Sequence, residues 1–194
     1  MFYNLINSMH YAWIQFFIAI SNSSDPVPQI IISLLVFIIL YLLNNKLEAI
    51  CCAFNICATG ATNLILKNTV KRYRPMEIRF IDAHGYSFPS GHASISTAIG
   101  LVLIYFIIKR IKNKKIAYLL SGLILIYLIL VGISRVYLGV HFPTDILGGW
   151  GIALIWSYVT ISAYKFCMSK GVNKFLDKYF TIKFNIFKHK AKST

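Results

Sequence analysis

The 194 residues would suit one soluble domain by length, but 57% hydrophobic and only 13% charged residues exclude a soluble protein and indicate a membrane one. A net charge of +14 would point to nucleic acid in a soluble chain. Here the cations concentrate in one short loop and the carboxy-terminal tail, as membrane topology requires, so nucleic acid is excluded as a partner.

Residues 1–21 are apolar but interrupted by Asn4, Asn7, Ser8, His10 and Gln15. On a helical wheel these and Ser21 fall within an arc of roughly 160°, which predicts an amphipathic helix over residues 1–22. It either lies in the membrane interface on Trp13, Phe16 and Phe17 or crosses with its polar stripe against the bundle, and the interfacial placement is favoured. No Lys or Arg precedes this run and no small-residue cleavage pattern is clear, so insertion through the chain's own spans is expected.

A turn-rich linker containing Asp25-Pro26 leads to the first span, about 29–43, and the polar turn Asn44-Asn45-Lys46 to the second, about 47–66. Small residues at Ala53, Cys57, Gly60 and Ala61 suit the second span to close helix packing. The longest polar interval follows, 68–88, carrying Lys71, Arg72, Arg74, Glu77, Arg79 and Asp82. Further spans run over about 93–108, 116–133 and 146–164, with five cations between Lys109 and Lys115. From Lys165 the tail sets eight lysines against one acid, interleaved with Phe175, Phe180, Phe184 and Phe187, a composition suited to an anionic leaflet or to fixing topology. Cys51, Cys52, Cys57 and Cys167 lie in apolar surroundings without paired spacing, against a disulfide or zinc role. The fold expected is an all-α polytopic membrane bundle of five to six transmembrane helices. It divides into the amphipathic segment 1–22, a core over 28–166 and a basic tail over 167–194.

Counting spans fixes the orientation. Lys46, the Lys109–Lys115 loop and the tail share one side and hold fourteen of the twenty cations, so that side is expected to be cytoplasmic. The remaining six, Lys67, Lys71, Arg72, Arg74, Arg79 and Arg135, then face the periplasm or cell exterior. For Lys71, Arg72 and Arg79 the expected role is anchoring at lipid headgroups.

Three polar motifs gather at that outer end. Pro89-Ser90-Gly91-His92 meets an apolar run and reads as a helix start, with Ser90 a cap, Gly91 permitting close approach and free N–H groups presented to an anion. Taken alone it is ordinary turn composition. Upstream stand Lys67 and, after six residues, Arg74-Pro75; downstream stand Ser134-Arg135, then five residues to His141 and three more to Asp145. Lys67, Arg74 and Arg135 beside two histidines suit a polyanion, since guanidinium groups match phosphate oxygens bidentately. A carboxylate at Asp145 can hold one imidazole nitrogen and leave the other as a nucleophile, or can simply favour its helix N-terminus while His141 closes a loop. His84 reads as a solvated loop histidine.

These residues, in type, spacing and order, resemble the signature of the type 2 phosphatidic acid phosphatase superfamily, which includes vanadium haloperoxidases and bacterial lipid phosphatases. The likeness runs from Lys67 to Asp145. The resemblance implies that His141 attacks phosphorus and forms a phosphohistidine, that Asp145 orients it, and that His92 protonates the leaving oxygen and then activates water. By the same likeness Lys67, Arg74, Ser90, Gly91 and Arg135 hold the phosphate oxygens. No acidic cluster suited to a divalent metal is present, so an enzyme without metal or other cofactor is expected. Phe88-Pro-Ser-Gly-His92 and Ser134-Arg-Val-Tyr-Leu-Gly-Val-His141 are most similar to small bacterial membrane lipid phosphatases. The implied substrate is a lipid phosphate or diphosphate: phosphatidylglycerophosphate, phosphatidic acid, undecaprenyl diphosphate or lipid A. The alternatives are a lipid phosphotransferase using the same site and a catalytically silent lipid-binding protein; no obligate protein partner is implied.

Overall fold

The computed structural model describes residues 2–43, 45–76, 79–172 and 175, with side chains described from His10 onward. Most of the basic tail, together with Asn44 and Glu77, lies outside the described residues. Among them the chain forms six helices: α1 (Phe2–Ser23), α2 (Pro26–Leu42), α3 (Lys46–Val70), α4 (Gly91–Arg110), α5 (Lys114–Tyr137) and α6 (Pro143–Ser169).

Local chemistry sets the helix ends. Pro26 and Pro143 start α2 and α6 with φ already helical and no N–H to satisfy. Asn113 caps α5 by accepting from the N–H groups of Lys115 and Ile116. Helix α3 stops at Lys71, whose φ of 49° closes it in the left-handed region.

Four helices, α3 to α6, are long and apolar enough to cross a membrane, and a fifth crossing arises if α1 and α2 form one bent unit, with 49° between them. This is a multi-pass membrane protein. The exposed apolar residues of α2, Ile30, Ile31, Leu34, Leu35 and Ile38, form the kind of surface that hydrocarbon covers.

Helix α4 is the centre of the bundle, packed on α6, α5 and α3. Glycines allow two of those approaches. A Cβ at Gly149 would sit 2.8 Å from the Ser90 carbonyl oxygen, and one at Gly100 would sit 2.8 Å from Leu128. Polar contacts add to the packing where no water reaches: Asn55 donates to Ala98 O (2.8 Å), and Asn63 donates to Ser94 Oγ (3.0 Å).

The packing seam of α3 differs in part from the expected one, since Gly60 lies against Ile95 of α4 but beyond Cys52 the buried positions are polar. Asn55, Thr59 and Asn63 are buried, whereas Cys57 and Ala61 are exposed. Hydrocarbon solvates a small apolar residue as well as a neighbouring helix does, but it cannot satisfy an amide, so the polar positions turn inward.

At the end of the bundle far from the motifs, Glu48 is 2% exposed and accepts from Arg110 Nε (2.7 Å) and Tyr164 Oη (2.8 Å). This ties the start of α3 to the ends of α4 and α6. At the motif end, Phe17 of α1 is buried against Leu138 and Val140, with its ring 4.4 Å from that of Tyr137. Phe17 was expected in the membrane interface; the apolar turn after α5 offers it a protein surface instead. Ser21 of the polar stripe is buried while Gln15 is exposed, so the stripe does not share one environment.

Candidate active site

The turn between α5 and α6 carries His141, 3% exposed, and the first turn of α6 carries Asp145, fully buried. Asp145 Oδ2 accepts from the backbone N–H of Phe142 (2.9 Å) and stands 3.2 Å from His141 Nδ1. On the other side of the ring, His141 Nε2 lies 3.0 Å from Arg74 Nη1. A guanidinium only donates, so Nε2 carries the lone pair and the hydrogen-bond network puts the proton on Nδ1, facing the carboxylate. Burial, joined by the Arg74 and Arg135 charges and opposed by the Asp145 hydrogen bond, lowers the imidazole pKa to about 4. His141 is thus neutral at physiological pH, with Nε2 aimed at the cations.

The backbone N–H of Ser90 donates to the Asp145 carbonyl (3.0 Å), fastening the head of α4 to the head of α6. Gly149 permits that closeness. Ser90 caps α4 through Oγ, which accepts from Ala93 N, and His92 follows in the first turn.

A cavity of about 350 Å³ opens between these parts, lined among others by Lys67, Arg74, Gly91, His92 and His141. Five of the eight residues singled out from the sequence therefore share one pocket. Asp145 stands directly behind His141 as its hydrogen-bond partner. Ser90 and Arg135 are not on the pocket lining: Ser90 is used as the cap, and the buried Arg135 donates from Nη1 to Ser21 Oγ. Arg135 Nε is buried without a hydrogen-bond partner, so this side chain retains an unused donor beside the pocket. Lys67 donates to Tyr86 O (2.8 Å), and Arg74 donates to the carbonyls of His84, Gly85 and Val140. Those carbonyls hold both cations in place around the cavity. Burial first, and the Arg79 charge second, pull the Arg74 guanidinium below its ordinary pKa, though it stays a cation.

Three residues gain roles that sequence reasoning did not assign. Arg72, expected at lipid headgroups, donates to Asp145 Oδ1 (3.0 Å) and Thr144 Oγ1 (2.6 Å), and lies 4.0 Å over the Phe142 ring. The buried carboxylate attracts it from the interface, and its position two residues before Arg74 was the only available signal. Asp25, expected only as part of a turn-rich linker, stands with Oδ1 2.7 Å from His92 Nε2. His84 is exposed, as expected, yet lines the rim of the pocket. A larger groove of about 410 Å³ between α5 and α6 is lined by Ile133, Val136, Leu147, Trp150 and others, with no charge or histidine, and does not reach the reactive groups.

Comparison with known proteins finds relatives in sequence and in structure. Phosphatidylglycerophosphatase B of Bacillus subtilis (strain 168) is 42% identical over 97 residues, 48% of this chain and 46% of its own length. An undecaprenyl-diphosphatase of Sulfolobus acidocaldarius is 34% identical over 76 residues, 39% of this chain and 32% of its own. The chain spans less than half the length of these curated relatives. Among solved structures, a transmembrane PAP2-type phosphatidylglycerolphosphate phosphatase from Bacillus subtilis superposes with a TM-score of 0.70 at 27% identity, covering 79% of this chain and 77% of that one. Aquifex aeolicus LpxE shares the fold, with a TM-score of 0.54 at 22% identity over 76% of this chain and 93% of its own. The family model of the PAP2 superfamily matches residues 48–169, more than half of the chain and all three motifs, and the chain belongs to that superfamily.

Proposed function

We propose that this protein is an integral-membrane lipid phosphatase that hydrolyses a phosphomonoester or diphosphate of a membrane lipid through a phosphohistidine on His141. The observation that carries this reading is the two-sided hold on His141, with Nδ1 on Asp145 and Nε2 turned to Arg74 in the pocket shared with Lys67 and His92. A neutral imidazole with its lone pair among cations is a nucleophile for an anionic centre, because those cations neutralise the phosphate's own charge.

In the first half-reaction His141 Nε2 bonds to phosphorus as the bond to the leaving oxygen breaks, and His92 gives that oxygen a proton. In the second, His92 takes a proton from water as the water oxygen bonds to phosphorus and the phosphorus–nitrogen bond breaks. Lys67, Arg74 and Arg135, with the Gly91 N–H at the head of α4, stabilise the equatorial oxygens. Asp145 keeps the proton on Nδ1 throughout.

Relatives named for phosphatidylglycerophosphate and undecaprenyl diphosphate support a lipid substrate, as does the placement of the pocket at the end of a membrane bundle. The excess of cations at the opposite end supports a pocket facing the periplasm or cell exterior and a cytoplasmic carboxy-terminus. The test is phosphate release by detergent-purified protein, with EDTA, from phosphatidylglycerophosphate, phosphatidic acid, undecaprenyl diphosphate and lipid A, alongside His141→Ala. Release that survives EDTA and is abolished by the substitution is expected. Label passing to lipid instead of water would indicate a phosphotransferase; no turnover by folded protein would sink the enzymatic reading.

A further inference from the structure

We propose that Asp25 is a positioning residue for His92, holding its imidazole by Nε2 so that Nδ1 exchanges the proton with substrate and water. This rests on the phosphatase reading above and adds to it a residue outside the segment 48–169 that the family model covers.

The contact is short and directed: Asp25 Oδ1 lies 2.7 Å from His92 Nε2, across 67 residues of chain. Asp25 is also the N-cap of α2, where an aspartate ordinarily turns its carboxylate onto the N–H groups of the first turn. Here it makes no side-chain cap hydrogen bond. The backbone satisfies the turn without it, since Asp25 N donates to Asn22 O (3.1 Å) and Gln29 N donates to Asp25 O (3.0 Å). The carboxylate is directed at the histidine instead of its own helix.

The surrounding contacts fix this geometry. One turn further along α2, Gln29 Nε2 donates to Ser96 Oγ (2.9 Å) and to the His92 carbonyl (3.3 Å), fastening the start of α2 to the start of α4. One turn earlier, Ser21 Oγ accepts from Arg135. The α1–α2 junction is thereby held at three points around the pocket, and of these only the middle one reaches an ionisable ring that lines it.

The arrangement mirrors that of His141, which rests on Asp145 by Nδ1 and presents Nε2. His92 rests on Asp25 by Nε2, which leaves Nδ1 as its nitrogen for proton exchange in the pocket it lines. His92 enters the first half protonated on both nitrogens: as the phosphorus–oxygen bond to the leaving group breaks, the proton on Nδ1 passes to that oxygen and leaves the neutral ring with Nε2–H, and in hydrolysis a proton of the attacking water returns to Nδ1. The Nε2 proton remains hydrogen-bonded to Asp25 in both halves, so the carboxylate fixes the tautomer and ring angle without touching substrate.

Two measurements test this. The first is kinetic, with Asp25→Asn, Asp25→Glu and His92→Asn assayed on dioctanoyl phosphatidic acid, whose alkoxide needs a proton to leave, and on p-nitrophenyl phosphate, whose phenolate does not. Asp25→Asn is expected to lower kcat on phosphatidic acid by about 10- to 100-fold, a part of what general acid catalysis supplies, with KM little changed. It is expected to leave kcat/KM for p-nitrophenyl phosphate, which reads only the half-reaction whose leaving group needs no proton, nearly unaffected and to add nothing in the His92→Asn background, and Asp25→Glu should recover part of the loss. The second is the ¹⁵N spectrum of histidine-labelled protein, which reads the His92 tautomer without turnover and so separates failure of this proposal from failure of the phosphatase reading. At a pH where His92 is neutral, wild type is expected to show its single proton on Nε2, and Asp25→Asn a mixture. Equal losses of kcat/KM on both substrates, additivity with His92→Asn, or an unchanged ¹⁵N spectrum in Asp25→Asn would overturn the proposal.

Discussion

Gly149 is where α6 comes closest to the head of α4, and Gly149→Ala perturbs the frame of the site without altering any charged group. The new Cβ would lie 2.8 Å from Ser90 O, 3.2 Å from Ser94 N and 3.3 Å from Ala93 Cβ. Two of these neighbours are backbone atoms of α4 and its cap, so no side chain can rotate away and the two helices must separate. Overpacking of this kind costs about 1–3 kcal/mol. For a chain of this size that lowers the unfolding midpoint by about 2–12 °C. The same movement lengthens the Ser90–Asp145 hydrogen bond and draws His92 away from His141. Because a misplacement near 1 Å costs about 100-fold, a shift of a few tenths is expected to cost roughly tenfold in kcat. Gly151→Ala, two residues along the same helix, meets no atom within 4 Å and serves as the control. The assay is thermal unfolding and phosphate release in one detergent for both variants and wild type. If Gly149→Ala matches Gly151→Ala in both, the junction is not the frame of the site.

Three other outcomes follow from particular contacts. Arg72→Ala removes the charge-assisted hydrogen bond to Asp145, worth about 1.5–3 kcal/mol, and is expected to lower kcat by roughly 10- to 100-fold with little change in KM; an anchoring role alone would leave kcat intact. His141, with its pKa lowered to about 4, should remain neutral from physiological pH down to that point. Its ¹⁵N titration should show this directly, and Arg74→Gln, by removing a neighbouring cation, should move the midpoint upward; a wild-type midpoint near the ordinary value would refute the buried-nucleophile picture. Glu48→Gln leaves Arg110 without its carboxylate at the far end of the bundle, so the unfolding midpoint in detergent should fall while KM for the lipid stays as it was.

The spans and the motif residues were legible because each is written locally. Apolar runs predicted α2 to α6 to within a few residues, and three motifs at helix ends predicted which side chains would meet. What escaped is non-local. Asp25 is 67 residues from His92, and no spacing links them; only the bend between α1 and α2 brings them together. Arg72 carries the composition of a headgroup anchor, and nothing in the sequence shows that a fully buried carboxylate stands within its reach. The seam of α3 was misread in part, and for a physical reason: small residues permit close packing, but in hydrocarbon the amides of Asn55 and Asn63 need partners, and that need decides which face turns inward. The second contact of Arg135, whose Nη1 donates to Ser21, was also hidden, because it required α1 to fold back over the end of α5.

The central claim is that phosphorus is transferred to His141, and trapping tests it most directly. Protein mixed briefly with ³²P-labelled lipid phosphate is quenched in alkali, where phosphohistidine survives, then digested and its labelled peptide sequenced. The account predicts label on His141 in wild type and none in His141→Ala. Turnover by wild type with no protein-bound label, or label on another residue, would contradict it.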